Sequence, residues 1–168
     1  MHCYRITKYD PKNRNSKGHY MKDEWTSVCE IGKMYNNEEF TISEYLLVEG
    51  NYSNAIKNIM TEINVDSLAV MGLEMHDYLE IKDGSSNKVN QLYNSVKEGK
   101  VLKSCDVPLV AKLILRENLW AKLVSQELEV HFGYDYYMYV CSRYPLRKVV
   151  DQINESGLFV ESMRSPYL

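Results

Sequence analysis

Between Leu119 and Cys141 the chain alternates apolar and polar side chains in three short runs, with gaps too short for anything but tight turns. Leu119 to Val124, Leu128 to Phe132 and Tyr136 to Cys141 read as strands. Ser125-Gln126 has the length of a tight hairpin, and Gly133-Tyr134-Asp135 fits a three-residue connection. Two hairpins in succession commit this part of the chain to an antiparallel sheet, so every other element must either join that sheet or pack on it. Strand side chains alternate between faces, which sends Leu128, Val130 and Phe132 one way and Glu129 and His131 the other. The same parity separates Tyr136, Met138 and Val140 from Tyr137, Tyr139 and Cys141.

The flanking segments supply the helices. Ser43 is the expected N-cap of the longest one, with Glu44 in its first turn. Tyr45, Val48, Tyr52, Ile56, Ile59, Met60 and Ile63 recur at intervals of three and four and give that helix one apolar face. Glu38, Glu39, Glu44, Glu49 and Glu62 are expected to form acidic surface around it. A short helix is expected over Thr26 to Ile31, a second from Val89 towards Gly99, a third from Asp106, and a fourth opened by Pro145. Cys3 to Tyr9, Ser67 to Leu73 and Leu158 to Met163 read as further strands. Asp10 to Asp23, with Lys12, Arg14, Lys17 and Lys22, reads as a solvated basic loop, and Glu74 to Asn87 as an irregular one. The expected fold class is α+β, a mainly antiparallel sheet with helices in a two-layer arrangement, formed as one domain over residues 1–168.

Composition bounds the function. A net charge of −3 argues against a general electrostatic grip on nucleic acid. No run of 18 apolar residues exists to span a membrane, and the N-terminal Met-His-Cys-Tyr-Arg-Ile has no apolar signal core. Cys3, Cys29, Cys105 and Cys141 form no CxxC pair. The expectation is a cytoplasmic protein with reduced, mostly buried thiols, no cofactor and no metal. Phosphate-cradling glycine loops and the G-x-S-x-G elbow are missing as well.

The remaining signal is aromatic. Five of the 14 tyrosines fall between Tyr134 and Tyr144, beside His131, Asp135 and Arg143. Tyrosine joins an apolar ring to a polar tip, which suits a contact surface. Candidate binding residues are therefore His131, Tyr134, Asp135, Tyr137 and Tyr139, with Arg143 and Trp25, the last an anchor for a partner or a plug at the sheet edge. Asp135 has the chemistry of a turn residue and could also pair with Arg143 or Arg147.

Tyr-Arg-Ile-Thr-Lys-Tyr-Asp near the N-terminus, Asp-Glu-Trp-Thr-Ser, His-Phe-Gly-Tyr-Asp-Tyr-Tyr-Met-Tyr and the closing Gly-Leu-Phe-Val-Glu resemble a family of small, functionally uncharacterised bacterial cytosolic proteins. The resemblance spans nearly the whole chain and implies no catalytic residues. In size, acidity and Tyr-rich hairpin the chain is also similar to immunity proteins of bacterial toxin systems. That similarity implies a non-enzymatic domain that binds and blocks a protein partner. The alternative is a single-stranded nucleic-acid binder, stacking bases on Tyr137 and Tyr139 with Arg5, Lys122, Arg143 and Arg147 near phosphates. An enzymatic reading would rest on His131, Asp135 and a hydroxyl acting as a general-base relay.

Overall fold

The computed structural model describes Met1–Leu168. Its elements run β1 (His2–Thr7), β2 (Met34–Tyr35), β3 (Glu38–Glu39), α1 (Ile42–Glu62), β4 (Ser67–Met75), α2 (Ser86–Ser95), β5 (Val101–Lys103), α3 (Val107–Leu115), β6 (Leu119–Val124), β7 (Leu128–Phe132), β8 (Met138–Ser142), α4 (Lys148–Glu155) and β9 (Phe159–Ser162). Seven strands form one antiparallel sheet in the order β5-β4-β6-β7-β8-β1-β9, and β2 and β3 form a separate small hairpin. The α+β class and the helix layer on an antiparallel sheet are as the sequence predicts.

Parity places the core. Val130 opposes Val140 and Phe132 opposes Met138 across β7 and β8, while Ile6 opposes Met138 from β1. These side chains meet Tyr45, Tyr52, Ile56 and Ile59 of α1, Val110 and Leu113 of α3, and Val149 and Ile153 of α4 in a single cluster of buried residues. The other face of the sheet carries Lys122, Glu129, His131, Tyr139 and Arg5, and irregular segments from the two ends of the chain cover it rather than helices.

Several expectations are corrected. Helix α1 begins two residues earlier than a Ser43 cap implies, because the Thr41 side chain accepts the Glu44 N–H and serves as its N-cap. Glu49 does not belong to an acidic surface. It is fully buried and forms a two-toothed ion pair with Arg116, Oε1 to Nε at 2.6 Å and Oε2 to Nη2 at 2.8 Å, with Asp83 on the same guanidinium. Glu62 reaches across to accept the N–H groups of Arg147, Lys148 and Val149, so the last helix starts at Lys148 instead of Pro145. The thiol expectation is also overturned. Cys3 and Cys141 stand opposite each other in adjacent strands, Cα to Cα 4.1 Å, and are joined as a disulfide, while Cys29 and Cys105 are exposed. No helix is long and apolar enough to cross a membrane.

Candidate functional site at the hairpin tip

The β7–β8 connection spans Gly133 to Tyr137 and ends in a turn whose two central residues, Asp135 and Tyr136, have φ of 57° and 61°. Two adjacent positive φ values define the mirror-image turn that suits the right-handed twist of a hairpin. Asp tolerates this backbone region; a bulky aromatic does not without compensation. Tyr136 has that compensation. Its hydroxyl donates to the Leu115 carbonyl at 2.8 Å, its own carbonyl accepts the Tyr52 hydroxyl, and its ring stands edge-on to Trp25 and Tyr45. Tyr136 is buried, whereas Tyr134, two residues earlier in the same turn, is 89% exposed.

Beside this turn lies a cavity of about 370 Å³. Its apolar wall comes from Ile114, Leu115, Leu119, Trp120, Phe132 and Met138, and its rim from Ser27, His76, Glu117, Tyr134 and Asp135. Glu117 is a further residue in the left-handed region, with φ 59°, at the C-terminal end of α3. That position usually favours glycine. Here the Glu117 carboxylate accepts the Ser27 hydroxyl at 2.7 Å, and its carbonyl accepts a ring N–H of His76 at 3.0 Å. Three of the six non-glycine residues with positive φ therefore border one cavity. Tyr136 is held by buried hydrogen bonds, whereas the contacts of Glu117 to Ser27 and His76 lie at the surface.

The residues singled out from sequence are distributed unevenly. Tyr134, Asp135 and Tyr137 all border the cavity. His131 and Tyr139 face each other across β7 and β8, but on the far face of the sheet. His131 is completely buried: Nδ1 lies 2.7 Å from Ser165 Oγ and Nε2 lies 3.1 Å from Glu129. Thus the partners of His131 are Glu129 and Ser165, not Asp135. The serine is itself 4% exposed and accepts the Tyr167 N–H, so this Ser-His-Glu row is closed to a substrate. Burial pushes the imidazole pKa down, Glu129 opposes this, and Lys122 adds to it, so the ring takes up a second proton less readily than a free imidazole.

Tyr137 lies under the N-terminal loop, where its hydroxyl accepts from Arg14 at 3.2 Å and its ring meets Tyr9. The solvated basic loop expected there is thus partly packed: Arg14 is half-buried against the Tyr137 ring and also approaches Glu161. Trp25 is a core residue, stacked on Phe40 at 4.3 Å, with its indole N–H donating to Glu44. Arg143 is exposed at the opposite end of β8 from Asp135, and neither Arg143 nor Arg147 forms an ion pair with that aspartate.

Sequence reading missed Ser27, His76, Glu117, Trp120 and Leu115 as cavity residues. They come from four separate segments, and only the Trp at the start of β6 carried a local signal. No three His, Cys, Asp or Glu side chains converge as a metal-binding group. Comparison of the chain with protein-family models, curated proteins and solved structures gave no match.

Proposed function

We propose that this chain is a non-enzymatic protein-binding domain that captures a basic side chain of its partner at the hairpin tip. The observation that carries the reading is the fully displayed Tyr134 beside an apolar cavity rimmed by Asp135 and Glu117. An arginine or lysine has the matching build. Its aliphatic stem can lie along the half-buried Trp120 ring and the exposed Tyr134 while its charged end stays at the rim carboxylates. Tyr134 then supplies a rigid aromatic contact with little entropy to lose, as tyrosine does at binding hot spots. The turn is already locked by Tyr136, so partner binding need not order it.

An immunity-like inhibitor of a basic bacterial toxin fits this chemistry, since an acidic binder is steered towards a basic target. The alternative, a single-stranded nucleic-acid binder, relies on open Tyr137 and Tyr139 rings. Those rings pack against Arg14 and Tyr167 respectively, which favours the hairpin tip over the sheet face.

The test is a photoreactive phenylalanine derivative placed at position 134, and separately at Leu47, which is exposed on α1, in the cells that make the protein. The proposal expects a protein crosslinked from position 134 and not from position 47, whose contact surface carries lysine or arginine. The same products from both positions, or none from position 134, would overturn it.

A further inference from the structure

After β9 the chain does not leave the sheet. Met163 N–H donates to the Cys3 carbonyl, and the last residues then cross β8, β7 and β6 on the face away from the helices. Ser165 docks on His131. Tyr167 places its ring near Trp120, His131 and Tyr139, with centroids 6.0 to 6.3 Å apart, and its carbonyl accepts Lys122 Nζ at 2.6 Å. Its hydroxyl lies so close to Gly133 that a Cβ there would stand 3.1 Å from it. Trp120 and Gly133 also line the cavity at the hairpin tip. The C-terminal segment and the candidate binding site thus share a wall.

We propose that Ser165 and Tyr167 are positioning residues for the hairpin tip, and that His131 makes their hold on it pH-responsive. The proposal rests on the reading of the hairpin tip as the partner site, whose regulation it supplies. The mechanism follows from hydrogen-bond direction. The Glu129 carboxylate can only accept, so the His131 proton sits on Nε2 and Nδ1 accepts the Ser165 hydroxyl. The serine oxygen in turn accepts the Tyr167 N–H at 3.1 Å. A second proton on the ring points an Nδ1–H at that oxygen and deprives the Ser165 hydroxyl of its acceptor.

Every element around the ring contributes: Glu129 on β7 favours the second proton, Lys122 on β6 opposes it, Tyr139 on β8 stands across from the ring, and the Tyr167 ring lies edge-on to it. Arg5 on β1, across from Tyr139, is already paired with Glu161. The docked imidazole binds a proton less readily than a free one. Docking is therefore complete above the ordinary histidine value of about 6.5 and weakens as pH falls below it.

Amide hydrogen exchange on the full chain, corrected for the intrinsic pH dependence, tests this without a partner. On going from about pH 7.5 to about pH 5.5 the protection of Gly133, Tyr137 and Tyr167 should fall roughly fivefold or more, while amides in the centre of β4 hold. His131→Gln should abolish that step. Ser165→Ala should lower protection at Gly133 and Tyr137 at both pH values. A pH step that persists in His131→Gln overturns the proposal. So does Ser165→Ala that loosens Tyr167 and leaves Gly133 and Tyr137 unchanged. Loss of β4 protection in His131→Gln would mark global unfolding, and Ser165→Ala then decides alone. Failure here leaves the crosslinking outcome untouched, and a failed crosslink leaves the coupling of Tyr167 to Gly133 untouched.

Discussion

Gly133 shows how one position can join the sheet, the hairpin tip and the C-terminal segment. A Cβ there would lie 3.1 Å from the Tyr167 hydroxyl, 3.3 Å from the Tyr137 carbonyl and 3.3 Å from the Tyr139 ring. The Tyr137 carbonyl cannot retreat, because it accepts the Gly133 N–H at 2.7 Å. Gly133→Ala is expected to cost about 1 to 2 kcal/mol, read as a lower midpoint in urea unfolding. Arg116 is the other residue on which much depends. It is 1% exposed and neutralised by Glu49 and Asp83, with Lys112 also 3.0 Å from Asp83. Removing one member of a buried pair strands the other, so Arg116→Met should destabilise by about 3 to 5 kcal/mol, and Arg116→Met with Glu49→Leu should recover much of that loss. A double variant no more stable than the single one would contradict this account of the network. Glu49 was legible only as a surface acid, since its partner lies 67 residues away and helical spacing alone cannot reveal a cross-element pair.

At the level of elements, Glu62 links two helices that are distant in sequence. As the last residue of α1 it caps α4 through three N–H groups. Partial burial pushes its carboxyl pKa up, but the donors from Arg147, Val149 and Lys148 outweigh that and hold it below the usual range. Its contribution is present above the ordinary carboxylate pKa and is lost as pH falls through the lowered one. Glu62→Ala should cost about 1 kcal/mol near neutrality and progressively less in acid, measured by denaturant unfolding across pH. The strands of the sheet were legible wherever a period of two persisted for five or six residues: β6 and β7 have the bounds that alternation predicts. Strand β5 and the β2–β3 hairpin were not, because two or three residues carry no period. The hairpin did have a signal in Asn36-Asn37, whose φ values of 51° and 68° are those of a mirror-image turn. The tyrosine run was correctly placed on a hairpin. Its covering was not legible, since the segments that lie on it, around Arg14 and from Ser165 to Tyr167, are aperiodic.

For the whole molecule, segments around Arg14 and from Ser165 to Tyr167 cover one sheet face, while Tyr134 at the hairpin tip stays exposed. Strand β1 lies between β8 and β9, and its Cys3 is tied to Cys141 across 138 residues. A peptide map under non-reducing conditions should contain a linked Cys3–Cys141 pair. By loop-closure entropy, reduction should lower stability by about 4 to 5 kcal/mol. Unlinked peptides from freshly isolated protein would contradict that pairing. The proposed protein-binding site is Tyr134 with the adjoining cavity. Calorimetric titration checks this, with the partner identified by crosslinking from position 134 purified and added to wild type and variants. Tyr134→Ala is expected to weaken binding about tenfold or more, Asp135→Asn to weaken it less, and Leu47→Ala to leave it unchanged. Equal affinity for wild type, Tyr134→Ala and Asp135→Asn would contradict it.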